Sequence, residues 1–282
     1  MRENPFEQQI AHEREKDYIH PAVEHAHNKA HGLLEASAID PHDFVELYGE
    51  ANVTRDLAAV EKKEAGFKPE ANKVYAEVLE AIMYHQIGHG DWFGKDATTM
   101  KSSKYDDYFN GSDLILELTD LEEKPSHLSL SIDVTFGTAT EQEKFSKIKE
   151  NIDQGTLGKL KYFNFDQKGP VKIPQVIIGV EKDLVVKLAG LWSDESTLKT
   201  KSEAALKDHP VQRVILSEIF LQLQVFRNYA ESTGKDNLVS IFEKDLKIIE
   251  SILREKGFAD IGDLRNDKVF AAIREGLKVF KK

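Results

Sequence analysis

Two stretches of alternating polarity limit what this chain can fold into: Gly111-Ser112-Asp113-Leu114-Ile115-Leu116-Glu117-Leu118 and Leu128-Ser129-Leu130-Ser131-Ile132-Asp133-Val134-Thr135-Phe136. Alternation at every second residue is the period of a half-buried strand. The link from Thr119 to His127 carries the turn signal Lys124-Pro125-Ser126. Two antiparallel strands are predicted, each holding one aspartate among sheet-forming residues. Leu128, Leu130, Ile132, Val134 and Phe136 share one face; Ser129, Ser131, Asp133 and Thr135 share the other. A turn of this length brings Asp113 near Asp133. Hard cations such as magnesium take oxygen ligands, and two carboxylates with waters are a usual protein contribution. An ion held there could orient a phosphate, activate a water and stabilise a leaving oxygen. The competing reading places both aspartates at sheet edges or beside a lysine.

The clearest predicted helix lies just before this hairpin, over 69–87. Val74, Tyr75, Val78, Leu79, Ile82, Met83 and Gln86 follow the 3.6 period, Pro69 suits the first turn, and Gly88 and Gly90 end it. It carries Glu77 and Glu80; on a helical wheel Glu77 lies away from the apolar stripe and Glu80 nearer its edge. Residues 89–112 read as a loop anchored by Trp92 and Phe93, with Asp106-Asp107 as turn residues or further acids. After the hairpin, Thr140 and Glu143 form a capping-box pattern for a helix reaching Ile152. Residues 144–172 hold seven lysines and are locally basic. Lys159 to Phe165 fits helix or strand. Pro174 to Val180 is an apolar run of the kind found in buried strands. A helix is predicted from Asp183 to Trp192.

The ends of the chain read as helical. At the front, Asp40-Pro41 has the pattern of a helix start, and a helix is predicted from about Thr54 to Ala65. Six of the ten histidines fall within the first 42 residues, and His27 and His31 share a helix face. At the back, helices are predicted over 211–230, 237–256 and 266–282. The apolar face of the first of these could be buried within the chain or against another copy, as in a homodimer.

A chain of 282 residues can bury a sizeable core. No run approaches the roughly 18 apolar residues of a membrane span. The start, Met1-Arg2-Glu3-Asn4-Pro5, is too polar for a signal peptide, and there is no cysteine for a disulfide or a thiolate metal site. A cytoplasmic location is expected. A net charge of -11 argues against broad nucleic-acid coating and leaves room for a local basic groove.

A helix with glutamate, a strand entered by aspartate, a strand with Asp133-Val134-Thr135, a helix and an apolar strand together resemble the core of the PD-(D/E)xK nuclease superfamily. The likeness covers about residues 70–180 and rests on Glu77, Asp113 and Ile132-Asp133-Val134-Thr135. It implies an α/β fold of the restriction-endonuclease-like αβββαβ type, a small mixed sheet with helical additions at both ends. The corresponding division is a helical extension over 1–66, a nuclease-like core over 67–192 and a helical region over 193–282. It also implies a site dependent on magnesium or manganese that hydrolyses phosphodiester bonds, with DNA as the partner. Asp113 takes the role of the motif's first aspartate and Asp133 that of its second acid. Glu77 matches the glutamate of the first helix by its spacing before Gly88, with Glu80 as the alternative. Ser112 replaces the proline before the first aspartate. Thr135 stands where the family's lysine would be, which removes a positive charge that helps offset developing negative charge. Lys144, Lys147 and Lys149 on the following helix are candidates to replace it, and Lys144 is preferred. Catalytic Glu77, Asp113, Asp133 and Lys144, with the three acids as metal ligands, are therefore the expected site. Three other readings keep their place: an inactive nucleic-acid-binding or structural module of the same fold, a helical histidine-bearing metal protein centred on His20 to His31, and a mainly helical interaction protein.

Overall fold

The computed structural model describes residues 18–66, 70–119, 125–133, 139–163, 169–257 and 268–281, with the side chains of 133 and 139–141 outside the description. The chain is a mixed α/β protein, mostly helical, with a four-stranded mixed sheet and helical additions. Among the described residues no helix is long and apolar enough to cross a membrane.

The first helix, α1 (Pro21–Ser37), starts with proline at its first turn and with the His20 ring accepting the Ala22 N–H. Asp40 caps a 3-10 turn, Pro41–Phe44, accepting the His42 N–H at 2.9 Å. It is followed by α2 (Val45–Tyr48) and α3 (Glu50–Ala65). The latter begins four residues before the predicted Thr54, because Gly49 turns the chain at φ 80° and supplies the first backbone acceptors to Asn52 and Val53.

Next comes α4 (Ala71–His89), whose Val78, Leu79, Ile82 and Met83 are fully buried. It runs through Gly88 and stops at Gly90, whose N–H returns to Gln86 O. Pro69 lies outside the described residues.

The sheet contains β1 (Ala97–Lys101), β2 (Leu114–Thr119), β3 (Pro125–Asp133) and β6 (Gln175–Gly179), in that spatial order. The β1–β2 and β2–β3 pairs are antiparallel and β3–β6 is parallel. A parallel neighbour requires a crossover. Here it carries α5 (Ala139–Asp153) and a small hairpin of β4 (Gly158–Leu160) and β5 (Val171–Ile173). Two expectations change. The 89–112 segment is not all loop: it contains β1 and a π-helical turn, Asp106–Asn110. The turn between β2 and β3 is shorter than expected, since Pro125 already pairs with Thr119. The expected capping pair at Thr140 lies outside the described side chains, and Val134 to Phe136 lie outside the described residues.

The remaining helices are α6 (Lys182–Trp192), α7 (Lys199–Lys207), α8 (Val211–Ser232), α9 (Asp236–Glu255) and α10 (Lys268–Gly276), with a final 3-10 turn, Leu277–Phe280. The apolar face of α8 (Ile215, Leu216, Ile219, Leu223 and Phe226) is buried within the chain. One continuous apolar core runs from Val23 through the sheet to Phe280. Trp92 and Phe93 are buried in it as expected, the indole N–H donating to Leu206 O.

Candidate active site

Four elements meet at one end of the sheet. Glu80 comes from the buried side of α4, where its neighbours in the helix are apolar. Lys101 is the last residue of β1. Its backbone is fixed on both sides, by the pairing with Leu114 and by Ile39 N–H donating to its carbonyl. Its side chain is 7% exposed. The ammonium lies 2.8 Å from Glu80 Oε1, 2.9 Å from Asp107 Oδ2 and 3.2 Å from the carbonyl oxygen of Asp113.

The π-helical turn places Asp107. Its neighbour Asp106 is buried and accepts from the backbone N–H groups of Lys161 and Tyr162, from Ser103 and from Asn110. These bonds lock the turn, and Gly111 ends it at φ 68°, a left-handed conformation suited to glycine. Asp113 follows. Its N–H donates to Leu130 O at 2.9 Å, and its Oδ2 accepts the Ile132 N–H at 2.6 Å. Continuing the β2–β3 register by one step sets Asp113 opposite Ser131, two residues from Asp133. Asp133 ends β3, paired with Gly179; its side chain and Thr135 lie outside what is described.

These residues open onto a pocket of about 370 Å³, lined by Glu77, Glu80, Lys101, Asp107, Asp113 and Ile132. Lys73, Lys104 and Tyr108 also line it. Burial pushes the Glu80 carboxyl up to about 8, against the pull of Lys101, with the charges of Asp113 and Asp107 adding to the rise. Burial likewise raises Asp113 to about 7, helped by Asp107 and opposed by Lys101 and Lys144. For Lys101 burial opposes the charged form, but the three carboxylates outweigh it and hold the ammonium above its ordinary range. The cluster carries three carboxylates against one buried ammonium; burial is the main cause of the raised carboxyls, and the crowding of acids adds to it.

The expected residues divide as follows. Asp113 is in the pocket. Lys144, on α5, is near enough for its charge to lower the Asp113 carboxyl. Glu77 also lines the pocket, but His27 Nε2 and His31 Nδ1 hold its two oxygens at 3.1 and 2.7 Å. Glu80 is the glutamate that joins Lys101 and Asp113. The shared face of His27 and His31 is therefore engaged with α4. Among the described residues no group of three or more His, Asp or Glu side chains is arranged to hold a metal ion. Lys101 is a member of the site that the sequence does not signal, since the run Ala97-Thr98-Thr99-Met100 is strand-forming in composition but lacks alternation, whereas Asp107 takes up the acidic contribution that the sequence leaves open.

Glu80 and Asp113 fit a hard divalent cation by the chemistry of their donors. Magnesium is commonly held by one or two carboxylates, with waters filling the rest of its shell. The surplus of buried negative charge around Lys101 favours added positive charge. Compared with family models, curated proteins and solved structures, the chain has no match.

Proposed function

We propose that this protein is a divalent-metal-dependent phosphodiesterase acting on DNA, with a sheet of the PD-(D/E)xK, restriction-endonuclease-like type. The observation that carries this reading is the convergence of Asp113 and Glu80 in one pocket with a buried lysine. They meet at the end of a sheet built in the order helix, three antiparallel strands, helix, parallel strand.

In this reading Glu80 and Asp113 hold magnesium or manganese, and Asp133 at the end of β3 supplies a further carboxylate. The bound ion would supply Lewis-acid stabilisation of phosphate charge and activation of a water. The chain's own residues do the positioning. The Ile132 N–H fixes the Asp113 carboxylate, and the Leu130 carbonyl fixes its backbone. Lys101 and Lys144 contribute the positive charge that Thr135 does not carry. Lys73 and Lys104 line the same pocket, but Lys104 is ion-paired with Glu35 and Glu64 and the lining is acidic on balance, so in this reading attraction for a phosphate depends on the bound cation.

The test is cleavage of supercoiled plasmid DNA with magnesium or manganese, for the wild type and for Asp113→Asn. Metal-dependent cleavage that Asp113→Asn abolishes supports the reading. Bound metal without cleavage rejects it in favour of an inactive module of the same fold. The close engagement of Lys101 with the pocket acids is the observation that favours that second reading.

A further inference from the structure

We infer that Lys101 is the resident cation of this pocket and that a divalent ion must compete with its ammonium for the Glu80 carboxylate. The inference rests on the metal-binding part of the reading above and adds a competitor built into the chain. Lys101 Nζ donates to Asp107 Oδ2 at 2.9 Å and to the Asp113 carbonyl at 3.2 Å, and is ion-paired with Glu80 Oε1 at 2.8 Å. Of these, Glu80 Oε1 is the one carboxylate oxygen of a residue assigned to the metal, since the Asp113 contact is its backbone carbonyl. An ammonium 2.8 Å from that oxygen repels a divalent ion brought to the same carboxylate, so the two charges compete for it.

The backbone of Lys101 cannot yield, since it is paired with Leu114 and accepts from Ile39 N–H. The side chain can, because a lysine ammonium rides on a flexible four-carbon stem. Displacement leaves the ammonium tethered beside the pocket that Lys73 and Lys104 also line. Metal entry then has two consequences. It turns Lys101 from a partner of the protein's own acids into a free cation for a phosphate group. It also weakens the apparent metal affinity by the free energy needed to move the lysine.

The test measures Mn2+ binding by calorimetry and by electron paramagnetic resonance on the full-length wild type, on Lys101→Met, and on the double variant Lys101→Met with Asp107→Asn. The double variant removes one positive and one negative charge, so its net charge equals that of the wild type and its carboxylates are less crowded. It remains informative where the single variant fails to fold. Both variants are expected to bind Mn2+ at least about tenfold more tightly than the wild type. If the double variant binds no more tightly than the wild type, or if none of the three binds Mn2+, the inference is overturned. Plasmid cleavage is read in parallel. Competition by Lys101 without any cleavage rejects the nuclease reading and leaves the role of Lys101 standing.

Discussion

Lys101 of β1 and Glu80 of α4 form a buried ion pair at 2.8 Å, tying the edge of the sheet to the helix that lies beside it. Three residues earlier on the same helix, Glu77 is held by His27 and His31 of α1. The two glutamates therefore face different partners, one a strand and one a helix.

Replacing each in turn separates their roles. Glu80→Gln removes a proposed metal ligand and is expected to reduce metal-dependent cleavage on the order of a hundredfold. Glu77→Gln loosens a partly exposed contact and is expected to lower stability by less than about 1 kcal/mol, with a smaller effect on cleavage. Cleavage rates and urea denaturation of both variants decide the matter. A larger loss of cleavage in Glu77→Gln would return that residue to the role its spacing suggested.

The hairpin and its aspartates were legible because the period of two is a local property, readable from a few neighbours. The α4 stripe was legible for the same reason, and the wheel already set Glu80 nearer the core than Glu77. β1 was hidden because it is a short edge strand: Thr98 is exposed and Thr99 and Met100 are half-buried, so alternation is lost. Lys101 was hidden more deeply. A buried lysine depends on acids that lie 21 residues before it and 6 after it, and no periodicity records that. Likewise the spacing of His27 and His31 was plain, whereas their partner lay 50 and 46 residues away.

Residues 144–172 are locally basic, yet one of their lysines is structural. Lys161 is mostly buried, ion-paired with Asp56, and its Nζ lies 5.1 to 5.3 Å from the ring centroids of Tyr48, Tyr105 and Tyr162. Asp56 is buried and also accepts the Tyr162 hydroxyl at 2.8 Å. Lys161→Met leaves that carboxylate without its main countercharge and is expected to lose about 3 kcal/mol or more. Urea denaturation measures it. A loss below about 1 kcal/mol would show that Tyr162 and solvent suffice to hold Asp56.

The outer edge of β6 is closed by side chains of α8. Gln222 accepts the Ile177 N–H at 2.8 Å and donates to the Ile177 carbonyl at 2.6 Å, while Glu218 accepts the Gly179 N–H at 3.1 Å. A sheet edge left unpaired invites pairing with another chain. Gln222→Leu keeps the bulk and strands two buried backbone groups, at roughly 1–3 kcal/mol each. The expected result is a loss of about 2–5 kcal/mol in urea denaturation, with more aggregation on refolding. An unchanged midpoint would show that water or a shifted helix replaces both bonds.

Asp245 gives the pH dependence of stability a definite sign. It is buried on α9, with one oxygen accepting Ser126 Oγ and the other, Oδ2, without a hydrogen-bond partner among the described residues. Burial pushes its carboxyl up to about 7, against the opposing effects of the Ser126 hydroxyl and the Lys244 charge. In the unfolded chain an aspartate titrates near 3.9. Between those values the native state binds more protons, so this group makes stability fall as pH rises from about 4 to about 7 and adds no further change above that. The interval corresponds to roughly 4 kcal/mol at most. Glu80 and Asp113 are raised in the same direction, so the wild-type curve alone does not isolate Asp245. The comparison with Asp245→Asn does, because the amide keeps an acceptor for Ser126 and has no charge to bury. Urea denaturation at pH 5 and pH 8 is the measurement. The stability of the variant relative to the wild type is expected to be higher at pH 8 than at pH 5, by about 1 to 3 kcal/mol. A difference between the two proteins that does not change with pH would mean that the Asp245 carboxyl titrates alike in the folded and unfolded chains.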